Sequence, residues 1–331
     1  MRVLALTHVF PRSEGDPCAP FLLAWANALR GAGVRIAVVA PHDAGLPIRH
    51  HVAGIGVRRS RYAPDGWERL AYRGQMHELV RSPAGPPLAG GLIASLTSAV
   101  RAQIRAGRPD VLHVHWWLPG AIVARLARPS IPVVVTVHGT DVALIEARPA
   151  LAALARWALE GVDRVEAVST DLAERLEAAT GRPADAIGPM PLAAAAQAAA
   201  ATGASGSGAG SGLKAAGTTG DSERPLRVLA AGRLVPEKGF TDLVEAVARL
   251  AAPARLEIVG DGPERVALIQ RAAARRVDLH LPGSLPPEEL AVAYAGADVV
   301  AQPSHREGFG LVAAEALMAG VPVVATDSGG A

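Results

Sequence analysis

SHREGFGLVAAE, residues 304–315, is the stretch that says most about how this chain folds. Two carboxylates, Glu307 and Glu315, flank a Gly-Phe-Gly turn, and Glu315 falls within an apolar helical pattern. The residues just before it, ending at Pro303, read as a buried strand. The stretch therefore predicts a strand, a loop and a helix, with Glu307 in the loop and Glu315 about two turns into the helix.

The chemistry of this stretch suits a sugar or a ribose, because carboxylates accept hydrogen bonds from vicinal hydroxyls. Gly308 and Gly310 let backbone amides approach a ligand at the positive end of the helix dipole. The alternative is that Glu307 caps the helix and Glu315 lies on a solvated face. Glu315 has apolar neighbours in the sequence, so we expect its carboxylate to have a partner.

A second stretch, GRLVPEKG at residues 232–239, supplies positive charge. It follows a predicted strand and opens a predicted helix over Pro236–Leu250, with the proline at a favourable first-turn position. Arg233 and Lys238 can neutralise a diphosphate leaving group as its charge develops. The alternative is a solvated turn with a Glu–Lys surface pair.

Strand and helix patterns alternate on both sides of an Ala/Gly/Ser-rich stretch, which predicts an α/β fold. We expect two Rossmann-like domains, residues 1–191 and 225–331, whose parallel sheets face an interdomain cleft. Residues 192–224 are interpreted as a low-complexity linker. The chain stops soon after a predicted strand at Pro322–Ala325, so we expect the second domain to be truncated at its carboxyl end.

Composition narrows the classes of function. The 331 residues carry a formal net charge of +2 with no basic block, which argues against nucleic acid. The single cysteine, Cys18, excludes an intramolecular disulfide and fits a reducing compartment. No apolar run reaches the ~18 to 20 residues that a membrane-spanning helix needs. A cytoplasmic protein is expected.

Histidines mark the ends of two predicted strands in the first half. The strand Pro132–Val137 delivers His138 and Gly139 at its carboxyl end, where α/β proteins place their sites, although a simple helix-capping loop is the alternative. His113 and His115 alternate along another strand and share one face. Without nearby carboxylate or cysteine ligands, we interpret the pair as satisfied polar residues and not as a metal site.

Taken together, these motifs resemble the retaining glycosyltransferases of family 4, also called group 1, which have the GT-B fold. The resemblance rests on GRLVPEKG at 232–239, VGDGPE at 259–264, EGFGLVAAE at 307–315, GVPVVATDSGG at 320–330, VHGTD at 137–141 and DVLHVHWWLPG at 110–120. It covers both predicted domains. It implies transfer of a sugar from a nucleotide diphosphate sugar to an acceptor hydroxyl with retention of anomeric configuration.

The resemblance also assigns residues. Arg233 and Lys238 match the pair that holds the donor diphosphate, Glu307 the carboxylate on the transferred sugar, Glu315 the carboxylate on the ribose, and His138 the histidine near the reacting carbon. We therefore expect His138, Glu307, Arg233 and Lys238 to be catalytic. The remaining donor-binding positions that it implies are Gly232, Gly262, Gly308, Phe309, Gly310 and Leu311.

The acceptor side departs from the family pattern. Many members have a Gly pair after the first strand, whereas the loop here, Phe10–Pro20, has none. The acceptor-side candidates are Arg12, Asp16, His115 and Asp141. No cofactor is expected, and no metal, since the metal-binding Asp-x-Asp of the other major glycosyltransferase fold is absent. The acceptor is expected to be a carbohydrate, a lipid-linked molecule or a small molecule.

Three alternatives stay open. The early end and the drifted linker suggest a truncated or degenerate glycosyltransferase fragment without catalytic activity. The doubled Rossmann pattern alone suggests a dinucleotide-dependent oxidoreductase, but neither domain has the Gly-x-Gly-x-x-Gly turn that this requires. Basic and aromatic residues at 58–62 and 67–73 suggest a peripheral contact with the inner face of the membrane. An ordinary solvated loop and helix is the favoured interpretation of those two segments.

Overall fold

The computed structural model describes residues 1–16, 18–73, 82–188, 190–192 and 224–330. The chain divides into two compact units, Met1–Pro191 and Leu192–Gly329, called unit 1 and unit 2 below. Apart from Leu192 and Arg224, the predicted linker lies outside the described residues.

Unit 1 is built on an eight-stranded sheet with the order β3-β4-β2-β1-β5-β6-β7-β8, in which all pairs are parallel except β3 with β4. Its strands are β1 (Arg2–Leu6), β2 (Arg35–Pro41), β3 (Arg49–Val52), β4 (Ile55–Ser60), β5 (Val111–His115), β6 (Val133–Val137), β7 (Arg164–Ala167) and β8 (Ala186–Ile187). Its described α-helices are α1 (Pro20–Gly31), α2 (Gly85–Gly107), α3 (Ile122–Ala127), α4 (Thr140–Ala147), α5 (Ala152–Leu159) and α6 (Thr170–Thr180).

The central strands of unit 1 are buried, as their apolar runs predict. In β1, Val3 to Leu6 are all at most 5% exposed, and in β2 Val38 to Ala40 are fully buried. A strand that carries apolar side chains on both faces needs cover on both faces, which the crossover helices of a parallel sheet supply. The strand predicted at Pro132–Val137 is confirmed as β6, which begins one residue later.

One hairpin departs from the expected all-parallel sheet. β3 pairs with β4 in antiparallel register, with Val52 opposite Ile55. The two residues between them, Ala53 and Gly54, have φ of 48° and 78°, so both adopt the left-handed backbone of a tight hairpin turn. The Ala-Gly pair was the available signal, and it is weaker than Asn-Gly because alanine disfavours positive φ.

Unit 2 has a five-stranded, fully parallel sheet with the order β11-β10-β9-β12-β13. Its strands are β9 (Leu226–Ala231), β10 (Ala254–Val259), β11 (Asp278–Gly283), β12 (Val299–Gln302) and β13 (Val323–Ala325). Its α-helices are α7 (Phe240–Val247), α8 (Arg265–Arg275), α9 (Pro287–Gly296) and α10 (Leu311–Met318). A core that includes Phe240, Leu256 and Ile258 joins the sheet to its helices.

One predicted helix of unit 2 is wrong in its extent. Pro236–Leu250 is not continuous: Pro236–Lys238 forms one turn of 3-10 helix, and α7 begins only at Phe240. Between them Gly239 has a φ of 65°, a left-handed conformation that ends the first turn before the second helix starts.

Among the helices in the described part of the chain, none combines the length and the apolar character needed to span a bilayer.

Candidate functional site

The carboxylate of Glu307 is held from two sides at the carboxyl edge of the unit 2 sheet. It lies in the loop between β12 and α10, as predicted. Lys238 donates from Nζ to Glu307 Oε2 at 2.7 Å, and the buried Ser304 donates its hydroxyl to the same oxygen at 3.0 Å. The backbone amide of Glu307 donates to the carbonyl of Ser328 at 3.1 Å. The loop that presents this carboxylate is therefore tied to both neighbouring segments.

The two predicted cations behave differently. Lys238 closes the 3-10 turn after β9, and its side chain is 22% exposed in its ion pair with Glu307. Arg233 is exposed, and its guanidinium makes no hydrogen bond or ion pair with any described residue. The structure therefore brings Lys238 onto Glu307 and leaves the guanidinium of Arg233 on the surface of unit 2.

Glu315 has the partner that its apolar surroundings predict. The buried phenol of Tyr294, on α9, donates to Glu315 Oε2 at 3.1 Å. Burial, and then the charge and hydrogen bond of Glu315, raise the pKa of Tyr294. Because α10 begins only at Leu311, Glu315 lies one turn into the helix and not two.

The N-terminus of α10 is the second source of positive potential in this unit. Gly310, at a φ of 77°, precedes the helix in the left-handed conformation, and Leu311 is its first residue. Gly308 and Phe309 lie in the loop just before it and are partly buried. Backbone amides at such a helix start favour an anion, so this loop, Lys238 and the two carboxylates can together hold a ligand with a charged and a hydroxyl-rich part.

Gln302 is a residue that the motif analysis missed. It ends β12, is 3% exposed, and its Oε1 accepts from the amide of Ala313 in the first turn of α10 at 3.0 Å. Its carbonyl accepts from the amide of Thr326 at 3.1 Å. A polar residue at the end of an apolar strand was the available signal. Gln302 thereby anchors the start of α10 and the segment after β13.

Two of the predicted donor-binding glycines lie in turns that follow neighbouring strands of the unit 2 sheet. Gly232 and Gly262 follow the neighbouring strands β9 and β10, with φ of 151° and 159°. The amide of Gly262 donates to Asp261 Oδ1 at 2.9 Å, and the amide of Leu234 donates to the carbonyl of Asp261 at 2.9 Å. These contacts hold the two turns together at the carboxyl edge of the sheet.

We predict that Gly239→Ala destabilises unit 2 by about 3 kcal/mol or more. An added Cβ would lie 2.0 Å from the carbonyl oxygen of Pro303, a backbone atom that cannot move aside without disturbing the Glu307 loop. Gly320→Ala is the matched control, because Gly320 has a similar φ of 75° but nothing within 4 Å of its added Cβ. The control should lose only the ~1 to 2 kcal/mol of left-handed strain.

Urea unfolding of the two variants, followed by circular dichroism, measures the difference. Equal losses for Gly239→Ala and Gly320→Ala would show that backbone strain alone matters at Gly239, and that the close approach to Pro303 does not.

In unit 1, a group of histidine and aromatic rings lies around the carboxyl ends of β1, β5 and β6. His115 Nδ1 is 3.1 Å from His138 Nε2, and the His113 ring stacks on that of His115 with centroids 4.7 Å apart. Trp116 lies 4.5 Å from His8 and 4.3 Å from His138 between ring centroids. This ring cluster consists of His8, Phe21, Trp25, His113, His115, Trp116 and His138.

Burial keeps the histidines of the ring cluster uncharged. It lowers the pKa of His8 and of His113 to about 4. Burial, followed by repulsion from neighbouring imidazoles, lowers the pKa of His138 to about 3 and that of His115 well below its ordinary value. Desolvation is the largest influence on each ring in this apolar setting, so the neutral form of all four rings is favoured at neutral pH.

Asp141 holds two loops of the ring cluster in place. Its Oδ1 accepts from the amides of His138 and Gly139 at 3.1 and 3.0 Å, and its Oδ2 accepts from the amide of Trp117 at 3.2 Å. The adjacent Trp116 has a φ of 66°, which a residue other than glycine keeps only under constraint. Burial raises the pKa of Asp141, although these amides work in the opposite direction.

Two of the acceptor-side candidates, Asp141 and His115, are buried inside unit 1. Asp141 is 4% exposed and occupied by backbone amides, and His115 is 1% exposed among other rings. Neither side chain is on the surface of unit 1, so each would act through the residues that it positions. The reason is tertiary: α1 and the segment after β5 cover both positions with Trp25, Trp116 and Trp117.

Arg12 and Asp16 form one end of a charged network after β1. Arg12 bridges Asp16 at 2.7 Å and Asp43 at 3.1 Å, and Arg73 also reaches Asp43 at 3.0 Å. Burial works to raise the pKa of Asp16, but the hydrogen bonds from Arg12 outweigh it and hold that pKa below its ordinary value. The side chain of Arg12 stays 37% exposed, so it is the acceptor-side candidate that remains open to solvent within unit 1.

The basic and aromatic segments differ in part from the solvated loop and helix that we expected, because Arg61, Trp67 and Arg69 are exposed but other members are buried. Arg59 is 1% exposed and donates to the carbonyls of Phe10 and Pro11 and to the Tyr72 hydroxyl. Tyr62 is also buried, and residues 68–73 form no helix. An arginine whose donors are matched by carbonyls is tolerated inside a protein, and here it fixes the loop after β1.

One group of three possible metal ligands occurs among the described residues, at His42, Asp65 and Glu68. Both ring nitrogens of His42 are already hydrogen-bonded, Nδ1 to Glu68 Oε2 at 2.5 Å and Nε2 to the carbonyl of Leu46 at 2.6 Å. Asp65 is paired with Arg61. Hydrogen bonds and an ion pair within unit 1 therefore account for the position of these three side chains without a metal ion.

Comparison with known proteins gives two family matches that together span most of the chain. Residues 20–191 match the family described as Glycosyltransferase Family 4, and residues 217–331 match Glycosyl transferases group 1. The first match alone covers more than half of the chain.

Among curated relatives, N-acetyl-alpha-D-glucosaminyl L-malate synthase of Bacillus anthracis is 30% identical over 67% of this chain and 57% of its own length. The 2-deoxystreptamine glucosyltransferase of Streptomyces kanamyceticus is 30% identical over 93% of this chain and 80% of its own length.

Solved structures with the same fold include the sucrose-phosphate synthase of Thermosynechococcus elongatus, with a TM-score of 0.71, 20% identity, and coverage of 100% of this chain and 82% of that one. HepE of Anabaena, solved in complex with UDP-glucose, has a TM-score of 0.65 and 20% identity, with coverage of 100% and 81%.

Proposed function

This chain belongs to the GT-B glycosyltransferases, and on that premise we propose that it moves a hexosyl group from a nucleotide diphosphate sugar to an acceptor hydroxyl with retention of configuration. The observation that carries the proposal is the Lys238–Glu307 pair beside the start of α10. It combines a cation, a helix N-terminus and a carboxylate on one unit, which are the groups that a diphosphate joined to a sugar requires.

In the proposed donor complex, Lys238 and the amides at the start of α10 bind the diphosphate, and Arg233 joins them from the surface. Glu307 accepts hydrogen bonds from the sugar hydroxyls, and Glu315 accepts them from the ribose. Tyr294, which donates to Glu315 at 3.1 Å, orients that carboxylate. The family resemblance supports the proposal that His138 contacts the transferred sugar. The same resemblance supports placing this chain in family 4.

In the proposed reaction, the bond between the anomeric carbon and the diphosphate oxygen breaks, and a bond to the acceptor oxygen forms on the same face. The acceptor proton passes to the departing phosphate oxygen, so atoms and charge balance without a protein base. Positive groups that face the leaving diphosphate stabilise the charge that develops on it. Arg12, the partly exposed candidate on unit 1, is proposed to contact the acceptor.

The direct test is nucleotide release from a panel of UDP-, GDP- and ADP-sugars, with donor binding measured by calorimetry. A UDP-sugar is the first choice, because HepE was solved with UDP-glucose. The anomeric configuration of the product, read by NMR, tests retention. If none of the donors binds, the proposal is overturned.

We predict that turnover continues undiminished in EDTA. The positive charge for the diphosphate comes from Lys238 and the start of α10, and the sequence has no Asp-x-Asp motif to hold a cation. Nucleotide release is compared in EDTA, Mg²⁺ and Mn²⁺. Loss of activity in EDTA that Mn²⁺ restores would contradict the prediction.

A further inference from the structure

His138 is joined to the interior of unit 1 through one ring nitrogen. Its Nε2 lies 3.1 Å from Nδ1 of His115, so one of the two rings donates a proton to the other. His115 is 1% exposed, whereas His138 is partly exposed. The structure gives Nδ1 of His138 no hydrogen-bond partner among the described residues. Which ring donates therefore decides what His138 offers to a ligand at Nδ1.

The other nitrogen of His115 settles the direction. His115 Nε2 is buried and has no hydrogen-bond partner among the described residues. A proton there would be a buried N–H without an acceptor, which folded proteins rarely contain. With the proton on Nδ1, His115 donates to His138 Nε2, and only a lone pair is left unpartnered. The Trp25 ring, 4.5 Å from His115 between centroids, offers at best a weak π acceptor.

The proton count on His138 then follows. Burial and the neighbouring imidazoles keep both rings neutral. A neutral His138 whose Nε2 accepts from His115 must carry its one proton on Nδ1.

We infer that His115 is a positioning residue that holds His138 in the Nδ1–H tautomer, so that His138 presents a hydrogen-bond donor and not a basic lone pair. The ligand group that fits such a donor is an oxygen acceptor, such as a sugar hydroxyl. The inference rests on the proposed function only in naming that ligand as a sugar. It requires that the proton of the acceptor hydroxyl leave by a route other than His138.

His113 provides a matched control on the same strand and the same face. It stacks on His115, but its Nε2 is 2.8 Å from the Thr136 hydroxyl, which itself donates to Glu166 Oε2 at 3.4 Å. Because the Thr136 proton points to the carboxylate, His113 donates to Thr136. His113 therefore takes part in a separate hydrogen-bond chain that does not include His138.

The tautomer is measured by long-range proton–nitrogen NMR on the full chain labelled with ¹⁵N-histidine, without ligand, at neutral pH. The signals of His138 among the ten histidines are assigned by their loss in His138→Gln. We expect Nδ1 protonated and Nε2 unprotonated. A proton on Nε2, or an imidazolium, overturns the inference whatever the enzyme's activity proves to be.

Variants test whether His115 sets this state. His115→Leu removes the hydrogen-bond donor to His138, and His115→Asn restores a donor near the position of Nδ1. His113→Gln is the control. Tryptophan fluorescence checks that each variant is folded. We expect His138 to sample both tautomers in His115→Leu only, with kcat for UDP release from UDP-glucose about tenfold lower and KM changed less. An unchanged His138 tautomer in His115→Leu overturns the positioning role. If the wild type itself releases no nucleotide from any donor, the proposed function fails, while the NMR result still decides the tautomer.

Discussion

Replacing Lys238 with methionine is expected to lower nucleotide release from the donor roughly a thousandfold while the chain stays folded. Methionine keeps most of the length and the apolar stem of lysine, so the change removes mainly the charge. Two losses combine: the leaving diphosphate loses a cation, and the Glu307 carboxylate, 16% exposed, loses its charged partner at 2.7 Å and keeps only the Ser304 hydroxyl. That carboxylate would then repel the diphosphate.

A double-mutant cycle with Glu307→Gln separates the two losses. The stability loss of Lys238→Met should shrink in the Glu307→Gln background, because no carboxylate without a counter-charge remains there. Activity should not return, since the diphosphate still lacks its cation. Glu237→Gln, a neighbouring charge on the same turn without a contact to Glu307, is the control and should keep near wild-type turnover. If Lys238→Met keeps activity within about threefold, the lysine does not stabilise the leaving group.

Acidification from about pH 7 to about pH 5 is expected to lower the free energy of unfolding of unit 1 by several kcal/mol. The histidines of the ring cluster, His8, His113, His115 and His138, have folded-state pKa values far below the 6.5 of an unfolded chain. At about pH 5 an isolated histidine with such a shift costs roughly 2 kcal/mol. The three partly exposed rings contribute less than the fully buried His115, so the four together lower the free energy of unfolding by several kcal/mol.

The direction follows from which state binds the protons. Above about pH 6.5 the rings are neutral in both states, and the free energy of unfolding does not depend on them. Between 6.5 and about 4 the unfolded chain takes up protons that the folded unit excludes, so stability falls as the pH falls. Asp141 opposes this, because burial raises its folded-state pKa and the folded unit takes up that proton first.

Tryptophan fluorescence during urea unfolding isolates this effect, since all five tryptophans lie in residues 1–191. His8→Phe and His113→Gln should each reduce the slope of stability against pH by up to about 1.4 kcal/mol per pH unit. A free energy of unfolding that is constant between about pH 7 and 5, or a slope unaffected by both variants, would contradict the prediction.

Much of the fold was predictable because its signals are local. Apolar runs marked the strands of both sheets, and the sequence pattern alone predicts the strand, the loop and the helix of the E-x7-E stretch. The errors arose where context overrides local pattern. Gly239 splits the predicted helix at Pro236–Leu250, and the β3–β4 hairpin turns on an Ala-Gly pair that is a weak signal alone.

The candidate site was predictable in composition but not in its pairings. Glu307 and Lys238 were both singled out, yet nothing in the sequence distinguishes Lys238 from Arg233 as the partner of Glu307. Arg59 looked like a surface cation beside aromatic residues, and it is buried against the carbonyls of Phe10 and Pro11. Burial of a charged residue depends on acceptors supplied by distant segments, and a local pattern does not report them.

By itself, the sequence determined which segments are strands and helices and which residue types end each strand, because hydrophobic periodicity and glycine placement act over a few residues. Only the tertiary structure decided which of those side chains form hydrogen bonds or ion pairs with one another. Lys238 and Glu307 meet across 69 positions because β9 and β12 are neighbours in the sheet, and His115 meets His138 because β5 lies beside β6. Strand order and register create such contacts, and they arise from the packing of the whole sheet.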